Sequence, residues 1–190
     1  MRSWLLKAEA RIGVGAVLAA AALLPPLAGL LEGQLVTHLL CQYPLLVGGG
    51  AMIGATLALT RLANWTAPSA LLAGTLACVF WLVPRWIDAA LADQAVNAAK
   101  AVCLVILAGL PLGWGWAQAG PVLRGFVWAN ATAMLAVMGW LQLATPIRLC
   151  NSYLLSEQRD LGLALLTLAI LALIAGMSRA MLGQWGRPIQ

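Results

Sequence analysis

Long apolar stretches separated by short polar ones run the length of the chain. Six of them, at about 12–31, 35–60, 67–83, 94–117, 121–145 and 161–182, approach the length of a membrane-crossing helix. A span needs roughly 20 mostly apolar residues, because the hydrocarbon core is about 30 Å thick and a helix rises about 1.5 Å per residue. None of the six shows the strict alternation of a barrel strand, so the pattern predicts helices. The expected fold class is all-α: a polytopic membrane helix bundle of about six transmembrane helices, with residues 1–190 forming a single transmembrane domain. Pro25 and Pro26 both lack an amide proton and should kink the first helix. Arg2, Lys7 and Arg11 ahead of Val17–Leu24 resemble the start of a signal peptide. The apolar run continues past the prolines to Leu31 without a small-x-small cleavage site, so this stretch is expected to remain as a span.

Composition leads to the same solvent. The chain is 63% hydrophobic and 9% charged, with a mean hydropathy of +0.91, against about 45–50% and about 25% in soluble domains. That excludes a soluble globular enzyme, a disordered tail and a nucleic-acid domain. The net charge of +5 is not gathered into a basic stripe. It reads instead as orientation, because short loops rich in Lys and Arg stay cytoplasmic. With six spans, Arg2, Lys7, Arg11, Arg61, Arg124, Arg179 and Arg187 share one side, against Arg85, Arg148 and Arg159 on the other. Both termini are therefore expected inside. Glu32, Asp88, Asp93, Glu157 and Asp160 then form an acidic outer rim, with Glu9 the exception. Most tryptophans fall near the expected boundaries and read as interfacial anchors: Trp4, Trp65, Trp114, Trp116 and Trp185 within, Trp81, Trp86 and Trp140 without. Trp128 sits deeper.

Gly48-Gly49-Gly50 with Gly54, and Gly109 with Gly113, place small residues at four-residue spacing on the second and fourth spans. Such residues let helix backbones approach closely, so the expectation is helix packing and not ligand binding. No phosphate loop, dinucleotide fingerprint, nucleophile elbow or HExxH is present. A convincing internal repeat is also absent, which weakens an inverted-repeat transporter. No nucleophile–base pair can be assembled at workable spacing, so the chain is read as not an enzyme.

Polar residues at membrane depth are costly, and each is a candidate for function. His38, Cys41 and Gln42 stand at the head of the second span, at i, i+3 and i+4, and so should share one helical face. Asp93, Asn97, Lys100 and Cys103 begin the fourth span, Cys78 lies near the end of the third, and Asp88 is in the loop between them. The last loop adds Arg148, Cys150, Asn151, Tyr153, Gln158 and Arg159.

Three readings of this constellation stand open. In the structural one, His38 bonds a carbonyl, Lys100 pairs with Asp93 or Asp88, and the cysteines are small apolar fillers. In the second, Cys41 and Cys150 form a disulfide facing an oxidising compartment. Four cysteines allow three complete pairings. In the third, His38, Cys41, Cys150 and Met138 hold a metal, with soft sulfur and one imidazole suiting Cu(I). The single histidine argues against a bis-histidine haem.

The run Thr37-His38-Leu39-Leu40-Cys41-Gln42-Tyr43-Pro44-Leu45-Leu46 resembles the H-x-x-x-Q…P-L-L opening of the caa3-type cytochrome oxidase assembly factor family. Val83-Pro84-Arg85-Trp86-Ile87-Asp88, and Pro146 through Tyr153 with Gln158, are similar to bacterial membrane proteins associated with that group. The likeness covers about a quarter of the chain. It implies a polytopic protein of the bacterial inner membrane, associated with copper delivery to haem–copper oxidases. Members carry several histidines and this chain one, so His38 and Gln42 alone carry over as candidate positions. The expectation is thus an inner-membrane accessory or assembly protein for a respiratory oxidase, with copper as the candidate cofactor and the lipid bilayer and the oxidase, or another membrane subunit, as partners. The alternatives are a non-catalytic structural subunit of a larger membrane complex, or a small-solute transporter using Asn97 and Lys100.

Overall fold

The computed structural model describes residues 2–58 and 66–183, with side chains from Ala8 onward. Arg61, Trp65, Trp185 and Arg187, and the side chains of Arg2, Trp4 and Lys7, lie outside the described residues, so part of the orientation and belt reading falls there. All regular structure among the described residues is helical. The helices are α1 (Arg2–Ala21) and α2 (Pro25–Glu32), then α3 (Leu35–Ala58), α4 (Ala67–Trp81) and α5 (Pro84–Ala92). They continue with α6 (Gln94–Gln118), α7 (Pro121–Ala144) and α8 (Leu155–Met181). The chain forms two compact units, Met1–Gln118 and Ala119–Gln190.

Four helices (α3, α6, α7 and α8) are each long and apolar enough to cross a membrane. Two bent pairs raise the number to six if each pair counts as one span: Ala8–Ala21 with Pro25–Glu32, and Ala67–Trp81 with Pro84–Ala92, each bent by 66°. The break after α1 falls where the paired prolines predict it, and Pro25-Pro26 open α2, where missing N–H groups cost nothing. The second bend has the same cause, with Pro84 opening α5 in a stretch expected to be loop. Large apolar side chains such as Leu72, Leu76, Ile106, Leu107, Ile170 and Ile174 stand exposed along these helices. In water that surface would be an aggregation hazard; in lipid it is the ordinary exterior. The protein is a membrane protein.

In the first unit α3 is the central helix, packed on α1 and α6, while α4 packs on α6. The expected glycine seam is where α3 meets α6. A Cβ on Gly50 would strike the Val105 carbonyl, and one on Gly54 the Leu110 carbonyl. A Cβ on Gly109 would strike the Val47 carbonyl, and one on Gly113 the Ala51 carbonyl. Gly15 of α1 and Gly49 of α3 meet in the same manner, each added Cβ lying 2.6 Å from the other's carbonyl oxygen. The second unit is an antiparallel hairpin of α7 and α8. Its helices approach closely at Gly139 and Gly162, where a Cβ on Gly139 would lie 2.9 Å from the Gly162 carbonyl oxygen.

Two tryptophans depart from the belt reading. Trp81 and Trp114 are buried, at 5% and 3% exposure. Trp81 stacks edge-on against Phe80 and Trp86, and its carbonyl accepts the Tyr43 hydroxyl at 2.9 Å. The deeper Trp128 donates its indole N–H to the Ala172 carbonyl at 2.8 Å, over the space left by Gly176.

Candidate functional site

Proline shapes the head of α3. Pro44 has no N–H to offer the Leu40 carbonyl, and its ring clashes with that oxygen. The helix answers by widening. His38–Gln42 form a π turn, with the Tyr43 N–H bonded to the His38 carbonyl. Pro111 does the same in α6, where Cys103–Gly109 are π-helical and the Leu110 N–H reaches the Val105 carbonyl. Single π turns of this kind re-aim side chains and often mark functional sites. Here the turn keeps His38 and Gln42 on one buried face but rotates Cys41 away from it, so that Cys41 is exposed. The i, i+3 spacing that puts His38 and Cys41 together assumes a regular α-helix, and the turn is not one.

His38 and Gln42 close on Lys100 from α6, and all three are 0% exposed. The Lys100 ammonium stands 3.0 Å from His38 Nε2, 3.1 Å from Gln42 Oε1 and 3.5 Å from Glu32 Oε1. An ammonium has three donors, and these are three acceptors. That count assigns the neutral imidazole with its proton on Nδ1, leaving Nε2 to accept. Gln42 completes the ring, donating through Nε2 to Glu32 Oε1 at 2.8 Å and to the Ala22 carbonyl at 3.3 Å. Asn97 donates to the same Glu32 oxygen at 3.1 Å. Tyr43 walls the site, its ring 5.7 Å from Lys100 Nζ and edge-on to His38 at 5.5 Å.

The partner of Lys100 is therefore Glu32, the last residue of α2, and not Asp93 or Asp88. Asp93 is turned to its own backbone, where it caps α6 by accepting the Ala95 N–H at 2.7 Å. Asp88 is half-buried on α5. His38 meets the same ammonium through Nε2. Sequence spacing alone assigns Glu32 to the rim. The signal that could have placed it inside is a deficit of charge: Lys100 is buried mid-helix, and a buried cation needs an anion.

Cys78 and Cys103 are half-buried beside the apolar core around Tyr43 and Leu46. Met138 is half-buried on α7 and Cys150 is buried in the loop after it, both in the second unit. Gln158 organises that loop, accepting the Leu149 N–H at 2.9 Å and donating to the Gln142 carbonyl at 3.1 Å. An apolar groove of about 620 Å³ between α7 and α8 is lined by Trp128, Thr132, Ala136, Ala169 and Gly176 among others.

Among the described residues, which include all four cysteines, no disulfide is formed. Nor does any group of three or more His, Cys, Asp or Glu stand together to hold a metal ion, again among the described residues. The residues at the α3 head do not fit copper. An ammonium stands against His38 Nε2 where a metal would bind, and Cys41, the thiol expected beside it, is exposed off that face. What the arrangement can do is clasp. It ties the half-span α2 to α3 and α6 through a neutralised ion pair and a ring of hydrogen bonds.

Comparison with protein-family models, with curated proteins and with solved structures finds no match to this chain.

Proposed function

We propose that this chain is a non-catalytic accessory protein of the bacterial inner membrane, with both termini in the cytoplasm, serving the assembly of a respiratory haem–copper oxidase. The observation that carries the reading is the placement of His38 and Gln42. These are the two positions that the family resemblance picks out, and both are fully buried on the same lysine. The imbalance of basic residues supports the orientation. Because an ammonium stands against His38 Nε2, the protein acts by contact with its partner within the bilayer and not by holding copper itself.

The test is deletion of the gene in its host, followed by complementation. Loss of oxidase activity, restored by the wild-type chain and not by His38→Ala with Gln42→Ala, is the expected result. Purified wild-type protein should retain no stoichiometric copper. An oxidase that stays fully active and metallated in the deletion strain refutes the assembly role. In that case, co-purification of a stoichiometric membrane partner would turn the reading to a structural subunit of another complex.

A further inference from the structure

The hairpin of α7 and α8 is tight at one end and grooved at the other. Its backbones approach at Gly139 and Gly162, toward the C-terminus of α7 and the N-terminus of α8. The groove of about 620 Å³ occupies the opposite half, built on small residues such as Gly125, Ala129 and Ala133. Leu173 and Met177 line it from α8 and stand exposed. A Cβ on Gly125 would meet nothing within 4 Å, so the groove is open where it reaches the start of α7.

Length sets the kind of occupant. The lining covers residues 125–136 of α7 and 166–180 of α8, which is about 16 Å and about 21 Å of helix. One leaflet is about 15 Å of hydrocarbon, or about 20 Å with its headgroups. The groove thus starts at the helix ends and stops near mid-membrane, which matches an acyl chain. A partner helix crosses the full thickness of about 30 Å and would outrun it.

Charge sets the chemistry. Arg124 precedes Gly125 and stands four residues before Trp128, on the same face of α7. Arg179 is in the last turn of α8, its guanidinium 5.7 Å from the centre of the Trp128 ring. Trp128 lines the groove and is itself fixed by its bond to the Ala172 carbonyl. A guanidinium stacked on a ring still presents its N–H edge, whose fork fits a phosphate. The two acids of residues 119–190, Glu157 and Asp160, lie in the first two turns of α8, at the far end. A second copy in the same membrane orientation, related by a two-fold axis along the normal, would set these arginines against their own counterparts.

We propose that the α7–α8 groove is a binding site for an anionic phospholipid, with one acyl chain along the groove and the headgroup phosphate at Arg124 and Arg179. In lipid an apolar groove has no hydrophobic pull of its own, so the arginines select the occupant and the groove seats it. Each basic residue at a membrane surface favours anionic lipid by about fivefold. The site lies wholly in the second unit and stands whichever partner the protein serves.

Native mass spectrometry of the full chain, released from nanodiscs of equal parts phosphatidylglycerol and phosphatidylcholine, tests this. Wild-type protein should retain one phosphatidylglycerol in preference to phosphatidylcholine. Arg124→Gln with Arg179→Gln should lower that preference by about fivefold for each arginine. Ala133→Phe, at an exposed position of the lining, fills the groove with both arginines in place and should abolish retention. If the double variant does not fold, the wild-type preference and Ala133→Phe decide the matter between them. Equal retention of the two lipids by the wild type overturns the proposal, as does a preference that survives in a folded double variant or in Ala133→Phe. A lipid-free dimer that Ala133→Phe breaks would give the groove to a second copy and overturn it equally.

Discussion

Replacing Lys100 by methionine keeps the length of the side chain and removes its charge. The loss is large because of what stays behind. At 3.5 Å, and with an effective dielectric of about 20, the Lys100–Glu32 attraction is worth about 5 kcal/mol before desolvation is subtracted. Lys100→Met removes it and leaves His38 Nε2 and Gln42 Oε1 without their donor, in a site neither can leave. Each orphaned acceptor costs about 1–3 kcal/mol. Polar contacts between neutral side chains inside membranes average only about 0.6 kcal/mol, so the uncompensated carboxylate decides the total. Breaking a buried pair from one side costs about 3–5 kcal/mol; because Glu32 keeps its bonds to Gln42 and Asn97, the lower end, about 3 kcal/mol, is expected. The assay is equilibrium unfolding in mixed micelles with a graded fraction of denaturing detergent. Adding Glu32→Gln to Lys100→Met should return most of the loss, since two neutral groups of similar shape then face each other. A single variant within about 1 kcal/mol of wild type, or a double variant no better than the single, refutes the clasp.

Two further outcomes follow from the helix geometry. Gly113→Val should destabilise the protein by about 2–3 kcal/mol in the same assay, because its Cβ would enter the Ala51 backbone; Gly48→Ala, with nothing within 4 Å, should be neutral or stabilise by up to about 1 kcal/mol. A mild Gly113→Val would place the α3–α6 contact elsewhere. Taking proline out of a helix interior normally gains about 3 kcal/mol, yet Pro44→Ala should gain less than 1 kcal/mol or lose stability, because closing the π turn carries His38 off Lys100. A gain of the full amount in thermal unfolding would show that the turn holds nothing.

Much of the architecture is legible along the chain because lipid imposes it. A helix that must satisfy its own backbone in hydrocarbon announces itself as a run of about 20 apolar residues, and α3, α6, α7 and α8 do so. Pro25-Pro26 foretell the break in the first span, and Gly50, Gly54, Gly109 and Gly113 foretell a seam, since close approach of backbones admits only the smallest residue. The helix α5 and the early start of α8 are less visible. Both are short polar-flanked turns whose ends depend on one proline or on one side-chain bond, such as Glu157 accepting the Leu154 N–H at 2.9 Å.

At the site, the sequence determines which residues are costly to bury, and His38, Gln42, Asn97 and Lys100 stand out for that reason alone. It does not determine which of them meet. That depends on the rotation of each helix about its own axis, and in α3 the π turn ahead of Pro44 alters the rotation by widening a single turn. Cys41 leaves the face it shares with His38 on a regular helix, and Glu32 enters from a bent half-span to neutralise Lys100. Periodicity fixes the solvent of each residue, since burial in lipid repeats along a helix. The partner of a buried charge is set by contacts between helices distant in the chain, and only the tertiary structure decides it.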